Sequence, residues 1–139
     1  MNFLISILIA GFSMQAPASS EPISFSLVEY EKLVAREPDT SGPNVRVWNI
    51  RQTHTIRINL VEMTGELPLH KHPDADHSLM VLEGQVRVRV ADKVLVIRKG
   101  DFISIPADVP HKYWSITSKS ILVSMDAPYY NPQKTISLE

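Results

Sequence analysis

The sequence predicts an all-β domain, a small barrel or sandwich of short strands, and three observations carry that expectation. From Val45 onward apolar and polar residues alternate over short runs, turn residues interrupt those runs about every eight to twelve positions, and the chain of 139 residues is the size of one domain. Short, closely punctuated strands belong to antiparallel sandwiches and barrels rather than to a parallel sheet crossed by helices.

The elements follow in order. Residues 1–18 carry no charged side chain, run apolar from Phe3 to Met14 and end in Ala16-Pro17-Ala18, the pattern of a secretory leader cleaved after Ala18. The apolar run falls short of the roughly 20 residues of a spanning helix, so the expectation is a secreted or periplasmic protein with no membrane span after processing. Residues 19–43 form an N-terminal extension rich in breakers, Pro22, Pro38 and the stretch to Pro43, with one short helix expected from the spacing of Leu27, Val28, Tyr30, Leu33 and Val34. The barrel is expected over 44–126. Its strands are read at Val45–Ile50, in the set His54, Ile56, Ile58 and Leu60, at Val86, Val88 and Val90, at Val94–Ile97, at Phe102–Ile105 and over Ile116–Met125. Turns are read at Thr64-Gly65, Glu83-Gly84, Ala91-Asp92-Lys93, Lys99-Gly100 and Ser118-Lys119. Residues 127–139 form a proline- and aromatic-rich tail that cannot continue a central strand.

Composition removes whole classes of function. A formal net charge of −1 provides no attraction for a phosphate backbone, and Arg87, Arg89, Arg98 and Lys99 are scattered as on a solvated strand face, so no nucleic-acid partner is expected. With no cysteine, neither a disulfide framework nor a lipid-modified cysteine is available.

Four of the five histidines carry the chemistry. His70, His72 and His77 lie within eight residues, and His111 follows behind a Gly-Asp and Pro-rich turn. Neutral imidazole is the commonest protein ligand of a transition metal. On an extended strand, residues i and i+2 point the same way roughly 6.6 Å apart, so His70 and His72 can converge on one ion. A ligand from the next hairpin and one from a later strand would close the site. His54 has no partner in this pattern and is read as a non-ligand. Ligation requires neutral rings, so metal affinity is expected to fall below the free-histidine pKa of about 6.5.

The region from Gly65 to Ser115 resembles the cupins. Their first motif is met by Gly65, His70, His72 and Gly84, with His77 where a glutamate is expected and the first spacer one residue short. Their second is met by Gly100, Pro106 and His111, with Asp108 replacing a glycine and Ser115 an asparagine. The resemblance implies a double-stranded β-helix barrel of the cupin or jelly-roll type, a bound divalent metal, a tail that folds back over the barrel or onto a second subunit, and a homodimer as an available state. At Asp108 the missing glycine is tolerable if φ is positive, because aspartate accepts the left-handed region.

Three or four imidazoles suit Fe, Ni, Cu or Zn and suit Ca or Mg poorly. An all-imidazole shell leaves a divalent ion at formal charge +2, which favours anionic ligands; if His77 turns away, a three-His site with open positions remains. Tyr113, two positions after His111 and on the same strand face, is read either as an acid, or a base of lowered pKa, or as a packed barrel aromatic. Arg57 and Asn59 share a parity that either lines the pocket and binds an anion or forms the wet face. Asp74 and Asp76 either pair with Lys71 in a loop or orient an imidazole, and Glu83 is read as solvated. The expected function is that of an exported metal-binding protein, a metal-dependent enzyme of oxygenase type acting on a small anionic or enolisable molecule. The alternative is a module that binds a small molecule or carbohydrate without turnover. The absence of a carboxylate in the motifs argues against a sugar isomerase or lyase.

Overall fold

The structure, a computed structural model, describes residues 25–128 and 134–139; the expected leader and the start of the extension lie outside these residues. Helix α1 (Tyr30–Val34) precedes ten strands: β1 (Thr40–Gly42), β2 (Val45–Gln52), β3 (Arg57–Met63), β4 (Glu66–Lys71), β5 (Asp76–Glu83), β6 (Gln85–Val90), β7 (Lys93–Arg98), β8 (Phe102–Ile105), β9 (His111–Ser115) and β10 (Ser120–Ala127). A last strand, β11 (Ile136–Ser137), comes from the tail. They form two sheets, in the orders β1-β2-β3-β10-β5-β8 and β11-β4-β9-β6-β7, with every paired neighbour antiparallel. This is the expected all-β barrel with one short helix, and among the described residues no helix is long and apolar enough to cross a membrane.

Alternation explains which side chains meet between the sheets. Val86 and Val88 of β6, Val81 of β5, Ile105 of β8 and Leu122 of β10 are buried there in one apolar cluster. A second cluster, Trp48, Leu60 and Ile121, lies on the outer face of the first sheet, where α1 covers it with Leu33. Burying a side chain of this size is worth roughly 1.5–3 kcal/mol, which holds so short a helix in place where its own nucleation would not. The Trp48 indole N–H adds a hydrogen bond to the Arg36 carbonyl at 3.0 Å.

Several elements depart from the periodicity reading, among them the strand read from Ile116, whose first four residues form a bend before β10 begins at Ser120. His54 is exposed in the bend between β2 and β3 and not on a strand with Ile56 and Ile58. Strand β5 escaped the alternation test because Met80 and Leu82 on its outer face are apolar too, at 41% and 38% exposure. Strand β1 forms inside the breaker-rich extension as a three-residue edge, and β11 pairs with β4 so that the tail becomes part of the second sheet. The turns are as expected: Gly84 and Gly100 have φ of 84° and 88°, and Asp108 has φ of 64°. At Gly84 a Cβ would also lie 2.5 Å from Thr117 Oγ1 and 2.7 Å from the Lys119 carbonyl, so no larger residue fits.

Candidate metal centre

Strand β4 ends at Lys71 and delivers His70 and, one residue beyond its end, His72; β5 contributes His77 and β9 contributes His111. The register sets His70 opposite His111 across β4 and β9. The Asp108 backbone N–H bonds the His72 carbonyl at 2.7 Å, so the turn with the left-handed aspartate fixes the chain leaving β4. Ring centroids of His70 lie 5.0 Å from His72 and 4.5 Å from His111, and His72 and His111 are 5.1 Å apart. His77 stands 4.8 Å from His72 and 5.3 Å from His111. Ligand atoms fall into two compact sets that share His72: His70, His72 and His111 in one, His72, His77 and Asp126 in the other.

Hydrogen bonds decide which nitrogen of each ring is available. Nδ1 of His70 meets the Pro68 carbonyl at 2.7 Å and Nδ1 of His111 meets the Val109 carbonyl at 2.9 Å. Carbonyls only accept, so both Nδ1 atoms carry the proton and both Nε2 atoms hold a lone pair. His111 Nε2 is buried without a hydrogen-bond partner, the condition of a ligand atom facing a cation rather than of a satisfied core histidine. These residues therefore fit a divalent transition ion held by imidazole nitrogens.

Asp126 is the residue that the sequence reading missed. It is buried on β10 and its carboxylate accepts from His77 Nδ1. That contact leaves His77 Nε2 as the lone-pair nitrogen and orients the ring, as a carboxylate does behind many metal-bound histidines. The signal was present in the chain: Leu122, Ser124 and Asp126 share one parity, so a charged group falls on a core-facing position of an apolar strand. The site thus contains a carboxylate after all, though not within the motifs.

Burial, reinforced by the neighbouring imidazoles, pushes His72 and His111 down to about 3 and lowers His70. The proton competition expected below pH 6.5 therefore moves to lower pH. Above pH 6.5 these rings are neutral in both folded and unfolded chains and add nothing to stability. Between pH 6.5 and about 3 only the unfolded chain takes up the protons of His72 and His111, so stability falls as the pH drops through that window. From pH 7 to 4.5 the metal-free protein should lose about 2–3 kcal/mol for each of His72 and His111, read by urea unfolding. An unfolding midpoint unchanged over that range refutes the burial of neutral rings.

Tyr113, on β9, is buried with its ring 5.4 Å from His111 and 6.2 Å from both His70 and His77. Its hydroxyl is buried with no hydrogen-bond partner, and burial, with Asp126 nearby, raises its pKa well above the usual phenol value. In the metal-free protein the phenol therefore holds its proton, and its hydroxyl is placed to donate. The same wall holds a cavity of about 220 Å³ that reaches from the imidazoles and Tyr113 to Arg57, Asn59 and an apolar end at Val61 and Met63. Arg57 and Asn59 therefore line the pocket; Asn59 bonds Ser124 at 3.3 Å.

The remaining polar residues do other work. Asp74 pairs with Lys134 of the tail at 2.6 Å, Lys71 pairs with Asp108 at 2.6 Å rather than with Asp74 or Asp76, and Asp76 accepts from the Ala107 N–H at 2.9 Å. Glu83 is exposed, as expected, and His54 lies apart from the cluster.

Comparison with known proteins places this geometry among relatives. A family model described as "Cupin domain" matches residues 59–126, the stretch from β3 to β10 that carries all four imidazoles and Asp126. An uncharacterized protein of Aquifex aeolicus is 27% identical over 112 residues, which cover 80% of this chain and 91% of that one. The quercetin 2,3-dioxygenase of Bacillus subtilis is 33% identical over 57 residues, 41% of this chain and 17% of the enzyme. A solved structure from Klebsiella pneumoniae, a conserved protein with a double-stranded β-helix domain, superposes with a TM-score of 0.67 at 16% identity, over 84% of this chain and 99% of its own. At that identity the likeness speaks to the fold alone.

Proposed function

The chain belongs to the cupin superfamily, and from that premise we propose a metal-dependent enzyme of oxygenase type acting on a small anionic or enolisable organic molecule. The observation that carries the reading is the convergence of imidazole nitrogens, with lone pairs left free by Nδ1 hydrogen bonds, at the wall of a small cavity. In this reading His70, His72 and His111 hold the ion and His77, oriented by Asp126, closes a fourth direction. A bound Fe, Ni or Cu ion supplies Lewis-acid and one-electron chemistry, and Zn Lewis-acid chemistry alone.

The protein's own groups do the rest. Tyr113, which burial keeps protonated in the metal-free protein, offers a hydrogen-bond donor to an oxygen beside the imidazole cluster. The apolar walls exclude water, which strengthens every charge interaction inside. The formal charges are those of a divalent ion, the Asp126 carboxylate and the Arg57 guanidinium; carboxylate and guanidinium cancel, so the site keeps the net positive charge that favours an anion. Pockets for drug-sized ligands measure about 300–1,000 Å³, so a cavity of about 220 Å³ favours a compact substrate over an extended one. The distant relationship to a quercetin dioxygenase supports oxygen chemistry as the class but not flavonoids as the substrate.

Oxygen uptake by the Fe(II)-loaded protein tests this, with small diketones, flavonoids and thiols offered in turn against the metal-free protein. Uptake above the metal-free rate with at least one compound is expected. If a compound binds and no oxygen is consumed with any metal, the protein is a binding module and not an oxygenase.

A further inference from the structure

We propose that Arg57 is the substrate anchor: its guanidinium takes the carboxylate of a small organic acid whose apolar body lies against Val61 and Met63. The inference rests on the cavity being the substrate site of the centre proposed above, and it adds the ligand class and the residue that selects it. Register carries the first step. Arg57 pairs with Asp126, and Asp126 with His77, so three inward-facing positions of β3, β10 and β5 form one row across the sheet. Adjacent strands lie 4.7–4.9 Å apart, which sets the Arg57 Cα roughly 9.5 Å from that of His77. An arginine side chain spans much of that distance, so one small molecule can touch the guanidinium and the imidazole cluster together.

The second step is that, among the described residues, no hydrogen bond or ion pair engages Arg57, whose charge acts on Asp39 only at longer range. Its Nε is buried and has no hydrogen-bond partner, and among the described residues no carboxylate forms an ion pair with it. Asp126, directly across the strand pair, is turned to His77, while Asp39 is held by Arg36 at 3.1 and 3.0 Å and by the Asn49 N–H at 2.7 Å. A buried guanidinium N–H without an acceptor is destabilising, and a bidentate carboxylate is the ligand that relieves it best. The third step is polarity along the strand, at right angles to that row: beyond Arg57 on the same face of β3 come Asn59, then Val61 and Met63, all lining the cavity. The pocket is charged at one end and apolar at the other, the complement of a short-chain carboxylic acid.

The test uses the full chain, metal-free and metal-loaded, with 4-methyl-2-oxopentanoate as the acid and 4-methylpentan-2-one as its neutral counterpart, followed by ligand-detected NMR. Arg57→Gln is expected to weaken the acid at least about tenfold and leave the ketone unchanged, with Arg57→Lys between the two. Lys keeps the charge and most of the stem, so the Lys comparison remains readable should the Gln variant unfold. Equal affinity of the acid for wild type and both variants, or no binding of the acid at millimolar concentration, overturns the proposal. If the metal reading alone is wrong, metal loading leaves the acid affinity unchanged while the Arg57 effect persists in the metal-free protein. If the anchor alone is wrong, metal loading tightens the acid equally in wild type and variants.

Discussion

Replacing His72 with alanine should lower metal affinity by on the order of a hundredfold or more, whereas His54→Ala should leave it unchanged; metal content after purification and a competition titration read both. The size follows from position. His72 is the residue common to both compact sets of ligand atoms, 5.0 Å from His70, 4.8 Å from His77 and 5.1 Å from His111 between ring centroids. Changes to groups that merely support a ligand cost about 10- to 100-fold in affinity, and loss of a shared ligand costs at least the upper end of that range. His54 is the internal control because it is exposed in the β2–β3 bend and outside both sets. Equal loss in the two variants, or none in His72→Ala, overturns the ligand assignment. Removing His72 also removes a buried imidazole that burial holds neutral, so the metal-free variant should show a shallower fall in stability towards pH 4.5 than the wild type.

Asp126→Asn is expected to weaken metal binding by about 10- to 100-fold with no loss of fold, since asparagine keeps the shape and removes the charge. The carboxylate accepts from His77 Nδ1 and holds the lone pair on Nε2. An amide can present its NH₂ instead, which would put the proton on Nε2 and take that nitrogen out of use. The ¹⁵N shifts of the His77 ring in the metal-free protein separate this from a general loosening: Asp126→Asn should raise the Nε2-protonated form, and a variant disturbed only in packing should not. Unchanged affinity together with unchanged shifts removes Asp126 from the site and leaves His77 outside the shell.

Much of the site was legible because it depends on local spacing. His70 and His72 at i and i+2, the turn glycines at 84 and 100, and the left-handed position at Asp108 are set by strand pleat and turn geometry, which a sequence displays directly. Asp126 was not legible from motifs because its partner, His77, is 49 positions away and the two meet only when β10 settles beside β5. Arg57 and Asn59 could be given a shared face but no direction, since parity says that two residues agree and not which side is inside. The character of Tyr113 was open for a related reason: a phenol shifts up or down according to burial and neighbouring charge, and both are properties of the packed barrel.

The chain by itself determined the all-β class, the short helix, most of the strands and four imidazoles at spacings suited to one centre, because alternation, turn chemistry and i, i+2 geometry act within a few residues. Only the tertiary structure decided that β11 joins the second sheet, that a carboxylate stands behind His77, that the Tyr113 hydroxyl is buried beside the imidazoles, and that Arg57, its Nε without a hydrogen-bond partner, shares a row with His77. Those outcomes depend on which strands become neighbours and on how far water is excluded between them. Both are decided by the closing of the barrel and by no segment of it alone.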